Sequence, residues 1–347
     1  MRRVAIACLL AVLWSNCASA QDALRSPWDV HPVKVTGARY DCGKDIDLTH
    51  DITLADYYSD AKHSIIDPAR HAAYEAAAAP FQALLKSTEA AADEFQQSGS
   101  REAAACVVHL LAVVAREDAM TGAMSTNQAY YVQGWTLGGV AIAMLKARPA
   151  AAGSDADRAL IAAWMKRVAS STHDYFQGRW EQKTDAQNNH LYWAGLAVLA
   201  AGVVANDRAD YDWGILTYRK GVDSIAPDGT LPLEMARGQR ALHYHLFALA
   251  PLVVLAEFGE ANGEPMYAYR GGALKLLVDR SVAGMLDPTF FVAKAGVAQE
   301  GDYRHPAGGD ISWAVPYTRR FPNPAISRVL QQAKSLKDAY LGGLPPP

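Results

Sequence analysis

The sequence predicts an all-α chain with a single domain, its helices paired as antiparallel hairpins that curl into an α/α toroid. Alanine-rich apolar segments recur with little strand-like alternation, which favours helix on both propensity and period. Between them lie brief turn-forming breaks: Ser98-Gly99-Ser100, Pro149 to Ser154, Asn206-Asp207, Pro227-Asp228-Gly229 and Gly259 to Pro265. No long linker or low-complexity stretch divides the chain, and no repeating period supports a stacked solenoid instead.

The first element reads as an export signal. Arg2 and Arg3 precede an apolar run from Val4 to Trp14, and Ala18-Ser19-Ala20 before Gln21 has the small-x-small pattern of a cleavage site. Cleavage after Ala20 is expected, which places residues 21–347 in the periplasm as one domain. Cys17 fits a lipidated cysteine less well, because Trp14-Ser15-Asn16 lacks small apolar residues. No later run reads as a bilayer span, so no membrane insertion is expected.

Helices are then expected at 69–97, 100–118, 127–147, 155–178, 189–205, 209–225, 233–258, 266–285 and 324–341. Cys8 and Cys17 leave with the leader; an exported chain retaining Cys42 and Cys106 is expected to bridge them, tying the N-terminal arm to a helix. The alternative is two buried thiols. The formal charge of −3 becomes two units more negative without Arg2 and Arg3, which argues against nucleic acid as a partner.

Two segments carry the chemistry. In Asn188-Asn189-His190-Leu191-Tyr192-Trp193, a polar stretch meets an apolar helix, so Asn188 or Asn189 is expected at the N-cap and His190 in the first turn. The helix dipole there disfavours imidazolium, leaving a neutral ring. The bland alternative is a capping asparagine beside a packed histidine. In Arg237-Gly238-Gln239-Arg240-Ala241-Leu242-His243-Tyr244-His245, a helical reading puts Arg237, Arg240 or Ala241, and Tyr244 on one face, a cation near a phenol whose ionisation it would favour. Here the alternative is a solvated stripe. His243 and His245 are two residues apart, which points them to different helix faces, and no carboxylate or cysteine cluster completes a metal site. No cofactor is expected.

These motifs resemble the alginate lyases of polysaccharide lyase family 5, the poly(β-D-mannuronate) lyases. The resemblance rests on Asn188-Asn189-His190-x-Tyr192-Trp193, on Leu231-Pro232-x-Glu234, on the segment from Arg237 to His245, and on Ala248-Leu249-x-Pro251-Leu252. It implies an incomplete α/α toroid, an acidic-polysaccharide substrate and metal-independent β-elimination. It also implies that Asn189, His190, Arg237 and Tyr244 form the catalytic set, and that Trp193 and Trp135 line the cleft. Arg240 and His243, in the same motif, are further substrate-binding candidates.

Two departures bear on specificity. Where the family's mannuronate lyases have a lysine before a tyrosine in the lid, this chain has Asp56-Tyr57-Tyr58-Ser59, with Lys62 slightly later. Tyr57 and Lys62 are therefore the lid candidates. His243 stands where a small residue is common.

Elimination needs a neutralised carboxylate, a base for the C5 proton and an acid for O4. Tyr244 is the candidate for both proton roles, with Asn189 and Arg237 on the carboxylate and His190 holding substrate. A base role for His190 with Tyr244 as acid is the competing assignment. Mannuronate and glucuronate differ only at C2, so polyglucuronate and hyaluronan join polymannuronate as expected substrates. Two other classes stay open: a glycoside hydrolase using Glu234, and a non-catalytic polysaccharide-binding protein stacking sugars on Trp135, Trp193 and Tyr192. A monomer is expected.

Overall fold

Asp67, Ser100, Thr126, Ser154, Asn188 and Asp207 each cap a helix with a side-chain oxygen that accepts a backbone N–H from the first turn, so the chain's polar punctuation marks where its helices begin. The computed structural model describes residues 23–30 and 32–346. The expected leader and its cleavage after Ala20 lie outside the described residues.

The first six helices follow the sequence pattern closely: α1 (Pro68–Ser98), α2 (Arg101–Arg116), α3 (Asn127–Ala147), α4 (Asp155–Gln177), α5 (Asn189–Ala205) and α6 (Arg208–Asp223). Beyond them the chain is more broken. α7 (Pro232–Met235) is one turn, α8 runs Ala241–Ala261 and α9 runs Ala273–Leu286. Three short helices, α10 (Thr289–Ala295), α11 (Ala314–Arg320) and α12 (Pro324–Gln331), complete the set.

Packing sorts these helices into two layers. α1, α3, α5 and α8 adjoin in sequence around the inside, while α2, α4, α6 and α9 pack behind them, giving an α/α toroid. Three of the four inner helices are buried over long stretches, α3 from Tyr131 to Ala147, α5 from Leu191 to Val203 and α8 from Ala248 to Gly259, whereas α1 buries one face only. One sequence expectation needs correction here. Gly238–Ala261 is long and apolar enough to cross a membrane, with mean hydropathy 1.5, but 89% of that window is buried by its neighbours in the toroid.

An N-terminal arm binds the outside of the ring before reaching its centre. Thr36 exchanges backbone hydrogen bonds with Gly99 and Arg101, Cys42 is disulfide-bonded to Cys106, and Ile52 pairs with Ala123 and Ser125. The arm then folds as a lid, residues 56–66, closed by the bridge between Tyr58 and Ile66. At the other end, residues 338–344 return to the ring and seat Tyr340 against Trp135, with ring centroids 5.3 Å apart. A buried ion pair, Lys146 with Asp93, holds this return: Lys146 also donates to the carbonyl of Gly342 (2.8 Å), and Asp93 accepts the Leu344 N–H (3.0 Å).

Candidate active site

Three inner helices, the turn before α8 and the lid bring the two sequence motifs together. Asn188 caps α5 by accepting the N–H of His190 (3.1 Å), which puts His190 in the first turn as expected. Its ring stacks on Tyr131 of α3 at 3.8 Å and 11°, and Tyr131 is held by donating to Asp185 (2.8 Å). Burial, and then the charge of Arg237, push the imidazole of His190 down to about 3, so the ring is neutral.

Asn189 is fully buried, and both its backbone N–H and its Nδ2 donate to Glu234 Oε1, at 2.7 and 2.9 Å. Glu234 is likewise 0% exposed, and burial pushes its carboxyl up despite Arg237 and the two Asn189 donors. The carboxyl is a clamp on Asn189, out of reach of any glycosidic bond. That position removes Glu234 from the hydrolase reading.

Arg237 reaches Tyr244 by a different route from the one its spacing suggests. The expected helix 233–258 is broken: α7 ends at Met235, Arg237 precedes a 3-10 turn at Gly238–Arg240, and Gly238 takes φ +59°, in the left-handed region. The turn folds the Arg237 guanidinium onto the face of Tyr244, 3.6 Å from the ring centroid. A second bond, from Nη2 to the carbonyl of His63 in the lid (2.7 Å), fixes it there.

Tyr244 is 6% exposed. Its hydroxyl shares a 2.5 Å hydrogen bond with the hydroxyl of Tyr58, and Arg240 donates to Tyr58 at 2.7 Å. A chain guanidinium–phenol–phenol therefore ends on Tyr244. The sequence expectation that cations favour its ionisation holds in direction, since Arg237 and Arg240 both lower the phenol, but burial outweighs them and the net shift is upward. At rest Tyr244 is a neutral phenol.

The other candidates divide. Trp135 is 7% exposed and lies between His190 (6.1 Å) and Tyr340, in the cleft wall. Trp193 is 2% exposed, with its indole N–H given to the carbonyl of Phe247 (3.0 Å), and Tyr192 is 1% exposed. Neither offers a face to a sugar, so Trp193 is corrected from a substrate-binding to a packing residue, and the stacking platform of the non-catalytic reading is lost. Tyr57 packs against Tyr58, Tyr74 and His71, and it is Tyr58 that meets Tyr244. Lys62 is exposed in the lid turn, its backbone N–H donating to Asp60 (3.2 Å).

His243 and His245 do point apart. His243 Nδ1 lies 3.8 Å from Asp310 in the cleft wall, whereas His245 is fully buried, bonded through Nδ1 to the Ala241 carbonyl (2.7 Å) and accepting the Leu231 N–H on Nε2 (2.9 Å). Those two partners assign His245 the neutral Nδ1–H tautomer and a structural role, tying the entry of α7 to α8. Among the described residues no group of three or more His, Cys, Asp or Glu side chains is arranged to hold a metal ion.

Four buried polar atoms in this cluster have no partner among the described residues: Asn189 Oδ1, His190 Nδ1, Glu234 Oε2 and Arg237 Nε. Native proteins rarely leave such groups unpaired, and four of them within one linked set of side chains mark a place built for a polar ligand. Sequence reasoning missed Tyr58 and the clamp role of Glu234. The second was findable, because Glu234 stands within a recognised motif and only its partner was unknown.

Comparison with known proteins agrees with this geometry. The alginate lyase family model matches residues 51–291. A polysaccharide lyase of Stenotrophomonas maltophilia (strain K279a) is 39% identical over 252 residues, covering 72% of this chain and 74% of that protein. An alginate lyase of Cobetia marina is 31% identical over 256 residues, covering 72% and 67%. Among solved structures, alginate lyase A1-III from Sphingomonas species A1 superposes with a TM-score of 0.76 at 22% identity, covering 93% of this chain and 88% of that one. A substituted form of A1-III complexed with a tetrasaccharide gives 0.78 at 22% identity, covering 89% and 86%. The structural likeness carries the fold, and the sequence match carries the family: this chain belongs to the alginate lyase family and is a polysaccharide lyase.

Proposed function

We propose that the protein cleaves alginate at 4-linked mannuronate by metal-independent β-elimination, and that polyglucuronate and hyaluronan are further substrates. The observation that carries this reading is one linked set of unpartnered atoms on Asn189, His190 and Arg237, with the Arg237 guanidinium lying on the face of Tyr244. Asn189 and Arg237 neutralise the uronate carboxylate, which makes the C5 proton removable and stabilises the enolate-like intermediate. Tyr244 first loses its phenol proton to solvent, and the phenolate, stabilised by Arg237 and by Arg240 through Tyr58, takes the C5 proton. The C5–H electrons form the C4=C5 double bond, the C4–O4 bond breaks, and Tyr244 returns the proton to O4.

In mannuronate and glucuronate the C5 hydrogen and O4 lie on the same side of the ring, so one phenol reaches both. Arg237 on its face, and Arg240 acting through Tyr58, lower the cost of ionising it. His190 holds the substrate as a neutral hydrogen-bonding ring. With its pKa near 3 it has little affinity for a proton at neutral pH, which speaks against the competing assignment of His190 as base. Export to the periplasm, with cleavage after Ala20, and action as a monomer belong to the same proposal.

The test is to incubate the purified chain, with chelator present, with polymannuronate, polyguluronate, polyglucuronate and hyaluronan while following ultraviolet absorbance. Elimination yields a conjugated unsaturated uronate, and hydrolysis does not. Polymannuronate should give a rising signal and polyguluronate, inverted at C5, little; no rise on any polymer, or a rise that the chelator abolishes, would refute the mechanism.

A further inference from the structure

Beside the residues that would meet a polyanion stands a carboxyl of the protein's own. Asp310 ends a 3-10 turn, Gly308–Asp310, beyond the residues matched by the family model. Its Oδ1 lies 3.8 Å from Nδ1 of His243, whose ring centroid is 4.9 Å from that of Tyr244. We propose that Asp310 is a specificity-determining residue of the elimination site, accepting hydrogen bonds from ring hydroxyls of the uronate held beside Tyr244 and excluding a carboxylate from that position. This assignment rests on the elimination reading above.

The turn that carries Asp310 is built to hold it still. Gly308 N–H donates to the Ser335 carbonyl (3.1 Å), Ser312 N–H donates to the Gly308 carbonyl (2.8 Å), and the Trp313 indole donates to the Asp310 carbonyl (3.0 Å). At Gly309 a Cβ would stand 2.4 Å from Asp338 Oδ2, so the turn lies flat on that carboxyl. Yet no hydrogen bond from a described residue reaches the Asp310 carboxyl oxygens, although its side chain is only 29% exposed. A carboxyl on a rigid turn, partly open to solvent and bonded to no side chain among the described residues, suits a donor that arrives with the ligand.

The surroundings decide which donor. Facing Asp310 are His243 from α8, Arg240 from the turn before it, Asp338 from the C-terminal return, and Tyr303 with Glu300 from the loop after α10. His243 is held neutral, pushed down to about 3 by burial and by Arg240 and Arg237, so it supplies no charge to pair with Asp310. Burial and the neighbouring Asp338 push the Asp310 carboxyl up to about 7, against Arg240. Cations thus lie on the Tyr244 face and a carboxyl on the His243 side. A uronate presents the same two chemistries: one carboxylate at C5, and hydroxyls at C2 and C3. Because mannuronate and glucuronate differ at C2, an acceptor fixed beside those hydroxyls separates them.

The ionised carboxyl is the stronger acceptor. Discrimination therefore grows as pH rises through the Asp310 pKa and is weaker below it. The experiment measures kcat and KM for wild type and Asp310→Asn on polymannuronate and polyglucuronate, well below and well above pH 7, with melting temperature as a fold control. In wild type the ratio of the two kcat/KM values should change by about tenfold across that range, the scale of one polar contact, whereas in Asp310→Asn it should stay flat. A wild type confined to one polymer should yield a variant that cleaves both. Asp310→Glu, which keeps the charge but displaces it by a methylene, should retain the pH dependence with an altered ratio. The assignment is overturned if Asp310→Asn keeps both the ratio and its pH dependence, or loses activity equally on both polymers. Absence of unsaturated product from wild type on either polymer would instead refute the elimination reading itself.

Discussion

The proposed proton chemistry rests on one oxygen. Tyr244→Phe keeps the ring that Arg237 covers and removes the hydroxyl bonded to Tyr58, so turnover should fall by roughly 100- to 10,000-fold with the fold preserved. Circular dichroism and the ultraviolet assay check both halves; substantial activity in Tyr244→Phe beside an inactive His190→Ala would move the base to His190. Glu234 makes a second, separable prediction. In Glu234→Ala the buried N–H and amide of Asn189 lose their acceptor, at a cost of about 1 to 3 kcal/mol for each group left unpaired, and Asn189 loses its alignment. Both melting temperature and kcat should drop. Glu234→Gln retains an acceptor oxygen and should recover most of each; if the Gln variant is as impaired as the Ala variant, the charge itself is what the site uses.

At the scale of elements, the turn between α7 and α8 matters more than either helix. It places Arg237 on Tyr244, and only Gly238 at φ +59° lets it do so. A Cβ at Gly238 would meet its nearest neighbour, Val297, at 3.9 Å, so Gly238→Ala is free of clashes and carries the conformational penalty alone, about 1 to 2 kcal/mol. The melting temperature should fall modestly and kcat more sharply, as the turn relaxes and the guanidinium leaves the ring; an unchanged kcat would show that Arg237 does not depend on the turn. This turn is also where the sequence was hardest to read. α1 to α6 were legible because each starts at a polar cap and ends at a turn-forming break, whereas the stretch from Leu231 to His245 has no such break and its polar residues also fit one face of a continuous helix, which hid the turn at Ala236 to Arg240. α10 and α11 are too short for periodicity to register. Asn189, His190, Arg237 and Tyr244 were legible as motif residues and do converge. Trp193 and Tyr58 were misjudged or missed, because which side of an aromatic faces a cleft is decided by tertiary packing that local pattern does not encode.

For the molecule as a whole, burial of ionisable groups against the toroid's interior couples stability to pH in opposing directions. His245, pushed down to about 4 by burial, is neutral in the fold, so the unfolded chain binds its proton first as pH falls. Its contribution is complete above about 6.5, the ordinary histidine value, and is lost as pH drops toward 4. His190 and His243, at about 3, act in the same sense. Asp310 and Asp338, raised to about 7 and about 6, act in the opposite one, contributing fully below the usual carboxylate range and less as pH rises through those values. Melting temperature recorded from pH 7 to 4 should therefore decline less steeply in His245→Gln than in wild type; parallel curves would show that His245 does not titrate with unfolding.

The return of residues 338–344 to the ring makes the surroundings of the site depend on parts of the chain far apart in sequence. The family match ends at residue 291, after all four catalytic candidates, yet Asp310 and Tyr340 reach the same cleft from beyond it. Segments far apart along the chain thus complete one cluster, so a substitution near the C-terminal end can reach the surroundings of Tyr244 through Asp310 or Tyr340 without touching any of the four catalytic candidates.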